Sequence, residues 1–349
     1  MCTDGVAPRR SRVGARCATP LVAALLLAAC NGTTSYMDAT GDAGHREATL
    51  GWWLTAVACA VVAFVIVAVL LGIARHRNDP HRGEEGVMER RDVKSGLSWI
   101  YVGVAVSVVI LAISFAGTLV TLNAASRPSI TPSMTIDVTG HQWWWEVTYS
   151  QANDPALGFT TANEIHLPVG EPVRVRLHSA DVIHSFWLPQ IAGKMDVIPG
   201  QVNETWLEAR KAGNSRGMCG EYCGMQHAAM ALDVTAESPE AFKQWADERR
   251  SGAATPTTAS ASAGRVVFVR SCGACHSVMG SDALGRVGPD LTHVASRTTI
   301  GAGALSNTPA HLAQWIQDAP GVKEGARMPA IPLSDAELRD VIAYIQTLH

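Results

Sequence analysis

Three things are scarce in this sequence: an excess of charge of one sign, charge of any kind over two long stretches, and cysteines scattered through loops. Lys and Arg number 28 against 31 Asp and Glu, a formal net charge of −3. That balance argues against a global basic surface for nucleic acid and against an acid-biased, disordered composition. The cysteines are Cys2, Cys17, Cys30, Cys59, Cys219, Cys223, Cys272 and Cys275. The last four form two close pairs, each with a histidine just downstream. That pattern points to metal or haem chemistry before a disulfide framework. At 349 residues the chain is long enough for two ordinary domains and anchoring segments.

Apolar residues make up 47% of the chain but are unevenly placed. Ala48 to Ala74 and Ser95 to Ser126 hold no charged residue and no histidine, over 27 and 32 positions. Each exceeds the roughly 20 residues that a membrane-spanning helix needs. Trp52 and Trp53 open the first run, and Trp99 and Tyr101 the second, as interfacial aromatics do. The sequence therefore predicts a transmembrane hairpin over 48–126, with spans at about 50–74 and 97–122. Arg75, Arg77, Arg82, Arg90, Arg91 and Lys94 lie in or beside the loop between the spans, which places that loop in the cytoplasm. Residues 30–47 and everything after 126 are then extracytoplasmic, on a bacterial inner membrane.

Residues 1–29 read as a secretory leader. A basic stretch of Arg9, Arg10, Arg12 and Arg16 precedes the short apolar run Leu21 to Ala29. Leu27-Ala28-Ala29-Cys30 resembles the bacterial lipobox, which makes Cys30 a lipidation candidate. An ordinary signal peptide with an incidental cysteine is the alternative. Cys59, mid-span, reads as a small packing residue.

From about 133 to 235, short alternating segments such as Met134 to Val138, Glu164 to Leu167 and Val173 to Leu177 read as strands. Turn signals at Pro168-Val-Gly170 and Ile198-Pro-Gly200 separate them, the pattern of a Greek-key barrel or sandwich. Within it stands Cys219-Gly-Glu-Tyr-Cys223-Gly-Met-Gln-His227-Ala-Ala-Met230: two thiols, an imidazole and a thioether within 12 residues. Soft sulfur with imidazole suits copper, and a thioether is a poor zinc ligand. Two cysteines, where a blue-copper site needs one, allow two bridged coppers. His184, in Asp181-Val-Ile-His184-Ser-Phe-Trp, is the candidate second histidine. A Cys219–Cys223 disulfide and a zinc site are the competing readings. His141, His166 and His178 have no cysteine partner and read as structural or solvent-facing.

The C-x-E-x-C-x-x-x-H-x-x-M loop with its upstream His-Ser-Phe-Trp resembles subunit II of cytochrome c oxidase and its dinuclear CuA centre. Gly140-His-Gln-Trp143-Trp144-Trp145 resembles the aromatic segment beside that centre, although tryptophans in sheets also simply pack. The resemblance implies that Cys219 and Cys223 bridge the coppers and that His184 and His227 bind one each. Met230 and the Glu221 carbonyl would be weak axial ligands. It further implies a magnesium ion at the subunit interface through the Glu221 side chain, and an electron-input role for Trp143.

Residues 248–262, from Glu248 to Ser262, are small and polar and read as a flexible linker. Such a tether would keep the next domain at a roughly millimolar effective concentration. Beyond it, Cys272-Gly-Ala-Cys275-His276 is the C-x-x-C-H haem-attachment motif. The two thiols would form thioethers, and His276 would be the proximal ligand. Met328, 52 residues on, is the candidate sixth ligand, since Met279 is too near to cross the haem plane. Helices are predicted at Val266 to Arg270, His311 to Asp318 and Asp335 to Leu348, the last with Ser334 and Glu337 as a capping box. His293 and His311 carry no motif and read as surface residues. Seven Lys/Arg balance seven Asp/Glu from 264 to 349, so no docking patch for an external cytochrome stands out.

The C-terminal pattern, with Gly288-Pro-Asp-Leu291, resembles class I cytochromes c. Together the two regions resemble the cytochrome-c-fused subunit II of caa-type haem–copper oxidases. The expectation is a multi-domain membrane protein: a two-helix transmembrane hairpin, an all-β cupredoxin domain over 127–247 and an all-α cytochrome c domain over 263–349. Its function would be to pass electrons from an external cytochrome c or other membrane donor through haem c and CuA to oxidase subunit I, with subunit III as a further partner and no nucleic acid. A CuA-bearing nitric oxide reductase subunit and a membrane copper-delivery protein are the rival readings. The haem motif speaks against the second.

Overall fold

The computed structural model describes residues 32–77, 91–128, 130–151 and 154–349. The leader, Cys30 and most of the basic loop between the spans lie outside the described residues.

Two helices come first in the chain, α1 (Asp42–Arg77, 36 residues) and α2 (Arg91–Ala125, 35 residues). Each overshoots its predicted span, because an uncharged run marks the lipid-buried part and not the helix ends. At about 1.5 Å per residue each reaches roughly 50 Å, against a hydrocarbon core of about 30 Å. The middles carry large exposed apolar side chains, Phe64 at 72% and Leu111 at 67% exposure among them, a surface that water would penalise and lipid would not. The overshoot of α1 is used. Ala43 and Ala48 are buried, and Gly44 N donates to Ile191 O (3.0 Å) in the next domain. At the end of α2, Ala125 O accepts from Trp206 Nε1 (2.9 Å). The segment before α1 lies along that same domain: Arg216 N donates to Thr33 O (3.1 Å), and Thr40 N donates to Gln190 O (2.7 Å). Residues 32–41 and the β domain are therefore on one side of the hairpin.

The β domain is a sandwich of ten strands. They are β1 (Met134–His141), β2 (Trp144–Gln151), β3 (Asp154–Ala162), β4 (Glu164–Pro168), β5 (Val173–Ser179), β6 (His184–Trp187), β7 (Met195–Val197), β8 (Asn203–Leu207), β9 (Gly213–Cys219) and β10 (Ala231–Glu237). They form two five-stranded sheets, ordered β3-β2-β1-β5-β8 and β4-β10-β9-β6-β7. β1 runs parallel to β5 and β4 parallel to β10, so each sheet is mixed. Alternation selects the inner face: Val173, Val175 and Leu177 of β5 point inward while Arg174 and Arg176 face water. Full burial of each such aliphatic side chain is worth roughly 1.5–3 kcal/mol. α3 (Pro239–Arg249) closes one end, with Ser238 as its N-cap and Trp245 stacked on the His166 ring (4.0 Å, 7°).

The last domain is built on α4 (Ala259–Ser271) crossing α7 (Asp335–Ile345). Between them come the short pair β11 (Thr299–Ile300) and β12 (Leu305–Ser306), α5 (Pro309–Gln317) and α6 (Ala319–Val322). Gly264 sits at the crossing, where a Cβ would overlap the Asp340 carbonyl. Phe268, Val341, Tyr344 and Ile345 fill the core around it. The predicted capping box at Ser334 and Glu337 forms.

The structure revises the expected linker. α3 runs through Glu248, and α4 starts at Ala259 with Thr258 as N-cap, so only 250–258 connects the domains without helix. Ala-Ser-Ala-Ser reads as featureless by composition, yet alanine is the best helix former and Thr258 supplies the missing cap. Even the connector is held, since Ala253 N donates to Met279 O (2.9 Å). His293 differs from expectation as well. It is 5% exposed, its ring bridging His349 O (2.6 Å) and Ser251 O (3.1 Å). No motif could show this, because both partners are main-chain oxygens remote in sequence.

Candidate metal centre and haem attachment site

The candidate copper ligands come from two places in one sheet. Cys219 ends β9, and Phe186 of β6 is its register partner, which brings His184, the first residue of β6, alongside. Cys219 N donates to Met230 O (3.1 Å), closing the loop that carries Cys223, His227 and Met230. The sulfurs of Cys219 and Cys223 lie 3.7 Å apart, well beyond the roughly 2.05 Å of a disulfide. His184 Nδ1 stands 3.9 Å from Cys219 Sγ, and His227 Nδ1 stands 3.7 Å from Cys223 Sγ. Met230 Sδ is 3.9 Å from Cys223 Sγ, and the Glu221 carbonyl oxygen is 3.1 Å from Cys219 Sγ. The ligand atoms of His184, Cys219 and Cys223 lie within 4.8 Å of one another, all three residues buried. One imidazole flanks each sulfur, a donor set that fits two soft metal ions sharing two thiolates.

His184 is wholly buried, and its Nε2–H donates to Asp181 Oδ1 (2.9 Å), which leaves the Nδ1 lone pair for a metal. Asp181 Oδ2 and Oδ1 also accept from Gln142 N (2.8 Å) and Val182 N (2.8 Å). Burial works against charge on His184, but the hydrogen bonds with Cys219 and Asp181 outweigh it and raise its pKa. The two thiols are coupled: the hydrogen bond between them draws Cys219 down and pushes Cys223 up. A bound cation would favour both sulfurs as thiolates.

The expected tryptophan cluster divides by role. Trp145 is wholly buried, tilted against His184 (5.9 Å) and edge-on to Phe186 (5.7 Å). Trp144 stacks on His141 (4.2 Å, 7°), which accounts for that histidine as structural. His178 pairs with Asp137 (3.0 Å) and is structural too. Trp143 lies over the ligand loop, its Nε1 donating to Cys223 O (3.1 Å), and is 9% exposed. The Glu221 side chain is on the surface, accepting from Tyr222 N (3.2 Å).

In the last domain, Cys272 caps α4, and the chain turns at once: Cys275 N and His276 N both donate to Cys272 O (3.0 Å each). His276 Nδ1 donates to Pro289 O (2.8 Å), leaving Nε2 free to bind iron. Gly288 lies against the imidazole, where a Cβ would come within 2.6 Å of its Cε1. Burial lowers the His276 pKa and favours the neutral, ligating form. Cys272 is pushed up to about 11, by burial first and by Cys275 second. Leu284 and Val287 flank the segment and expose 77% and 74% of their surfaces, apolar area of the kind a macrocycle would cover. These features fit a covalently held haem. Met328 is half-buried at the edge of the helical core, on the loop after α6.

Three residues that sequence reasoning missed bear on the sites. Asp181 stands three positions before His184 and could have been suspected as its orienting carboxylate. Lys323 and Arg327 gave no signal, because what matters about them is contact with the other domain. Lys323 is 4% exposed, and burial draws its pKa down to about 8.

Known proteins place these features in a family. A family model described as the periplasmic domain of cytochrome c oxidase subunit II matches residues 156–237, and one described as cytochrome c matches 261–349. The chain is 33% identical over 299 residues to a cytochrome c oxidase subunit 2 of Alkalihalophilus pseudofirmus, covering 84% of this chain and 85% of that one. A cytochrome c oxidase subunit 2 of Bacillus subtilis is 29% identical over 228 residues, 62% of each. The solved periplasmic domain of subunit II of cytochrome oxidase from Bradyrhizobium japonicum is 33% identical, covering 35% of this chain and 97% of its own, with a TM-score of 0.33. The chain belongs to the cytochrome c oxidase subunit 2 family, with a cytochrome c domain joined behind its periplasmic domain.

Proposed function

We propose that this chain is the electron-input subunit of a respiratory haem–copper oxidase. One electron at a time would pass from an external cytochrome c or other membrane donor to haem c, then to CuA, then to subunit I, where dioxygen is reduced. The observation that carries this reading is the thiol pair at 3.7 Å, with one imidazole against each sulfur, in the same chain as Cys272-x-x-Cys275-His276. In it Cys219 and Cys223 would be the thiolates shared by the coppers, His184 and His227 would bind through their imidazoles, and Met230 and the Glu221 carbonyl would complete the set. A copper pair supplies one-electron redox chemistry with the charge shared over two metals. The protein's part is to hold the ligands: the sheet fixes His184 against Cys219, Asp181 fixes the imidazole, and the bond from Cys219 N to Met230 O closes the loop. Cys272 and Cys275 would attach the haem, and His276 and Met328 would ligate its iron, a pair that raises the potential.

The finer assignments go with this reading. Glu221, exposed beside the ligand loop, is suited to a magnesium ion at the interface with subunit I. The hairpin anchors the subunit in a bacterial inner membrane among lipid and subunits I and III. Cys30 would be the lipidated first residue of the mature chain. The test is metal analysis and electron paramagnetic resonance of the full chain, matured with haem and loaded with copper. Two coppers per chain sharing one unpaired electron support the reading. A mononuclear signal, or no copper, overturns it.

A further inference from the structure

The loop that carries Met328 opens on a buried residue and reaches the neighbouring domain. Lys323 Nζ reaches across to the β domain and donates to Trp143 O (2.7 Å) and Ala229 O (2.7 Å), and within its own domain to Gly301 O (2.9 Å). An ammonium has three donors, and three carbonyls use them all. Two residues on, Gly325 packs on the Trp143 indole, where a Cβ would lie 3.2 Å from Cη2 and Cζ3. Arg327 then donates to Gln142 Oε1 (3.1 Å) and comes within 3.8 Å of Asp181 Oδ2. Gln142 in turn donates through Nε2 to Cys223 O (2.9 Å).

Lys323, Gly325 and Arg327, on the loop that carries Met328, thus meet Gln142, Trp143 and Asp181, the residues that touch the candidate copper ligands Cys223 and His184. A second row of contacts holds the domains together beside this one. Arg297 lies 3.7 Å from Glu164, Asp233 Oδ2 accepts from Thr298 (2.8 Å) and Thr299 (2.9 Å), and Ala231 N donates to Ala302 O (3.0 Å).

We propose that Lys323 and Arg327 clamp the cytochrome domain, Met328 loop first, onto the Gln142–Trp143 surface, so that this surface serves the chain's own haem and is closed to any external donor. The inference rests on the relay proposed above and adds its internal geometry. The hydrogen-bonded sequence Arg327–Gln142–Cys223 links the residue next to Met328 to a candidate bridging cysteine. One electron crossing it would oxidise the haem side and reduce the copper side by one unit each, with no proton exchanged. An external protein donor must then dock on the cytochrome domain and not on Trp143. Lys323 and Arg327 are positioning residues: neither touches a metal or the haem in this scheme.

The test uses the assembled oxidase carrying Lys323→Met or Arg327→Gln, with three readouts. Backbone hydrogen exchange over 142–145 and 223–226 reports docking without any turnover. Haem-to-copper electron transfer after flash reduction reports coupling. Copper reduction by an added soluble cytochrome c reports access. Loss of a buried, hydrogen-bonded charge should raise exchange over these segments and slow the intramolecular step by about tenfold or more. The soluble cytochrome should gain a direct reaction with copper that the unaltered protein lacks, a change that a merely structural defect would not bring. Arg327 is 68% exposed in its side chain, so Arg327→Gln carries the test if Lys323→Met does not fold. Unchanged exchange and rate in the folded variants, or direct copper reduction in the unaltered protein, would overturn the clamp. Failure of the relay itself is separate, showing as loss of the two-copper signal in the unaltered chain.

Discussion

The two cofactor regions are built on opposite plans. In the β domain the candidate ligands come from separate strands, His184 from β6 and the rest from the β9–β10 loop, and they meet in a buried place. In the helical domain the attachment residues are consecutive, Cys272 to His276 on one turn, and only Met328 comes from a distance. The first plan lets the fold assemble the site before any metal arrives. The second makes a covalent anchor that needs little fold, and leaves the distal side to a loop held by contacts with the neighbouring domain. A relay has to make its metal geometry insensitive to electron gain, and the sheet would serve that by holding His184 and Cys219 on adjacent strands and both ends of the ligand loop.

The sharpest break in this comparison is Cys219→Ser. It removes one of the two sulfurs at 3.7 Å, and the two-copper resonance signature should vanish while the haem spectrum stays. A retained signature would sink the bridging assignment. Next in size is Met328→Ala, which should leave the haem covalently attached but convert it to high spin, read in its optical spectrum. An unchanged spectrum would move the distal role elsewhere.

Gly264→Val tests the helical plan. A branched side chain must force α4 from α7 at the Asp340 carbonyl, destabilising the cytochrome domain by about 3 kcal/mol or more, measured by chemical denaturation. Asp181→Asn keeps an oxygen but discharges the group that receives His184 Nε2–H. Copper affinity in competition with a chelator should fall by roughly 10–100-fold, and no change would mean that the sheet alone orients the imidazole. The smallest effect is expected from Ser334→Ala, which removes the N-cap of α7 at a cost of about 1 kcal/mol in the same denaturation experiment.

By itself the sequence determined whatever depends on neighbours in the chain. Two uncharged runs are long enough for lipid whatever the rest of the fold does. Alternation in Val173 to Leu177 requires a half-buried strand. Cys272-x-x-Cys275-His276 suits covalent haem attachment because one turn suffices, and the Ser334–Glu337 box closes over three residues. The cysteine loop was legible for the same reason, and His184 through its resemblance.

Only the tertiary structure decided the rest. The polar-looking stretch 259–262 became helix because Thr258 caps it and α7 lies against its small residues. His293, legible only as a polar side chain, is buried because main-chain oxygens from Ser251 and His349 converge on it. Lys323 and Arg327 look like ordinary surface charges in sequence. Their importance arises from partners about 180 residues away, Trp143 O and Gln142 Oε1. A buried ammonium is tolerable only where three carbonyls meet it, and no local pattern can announce where the fold will bring them together.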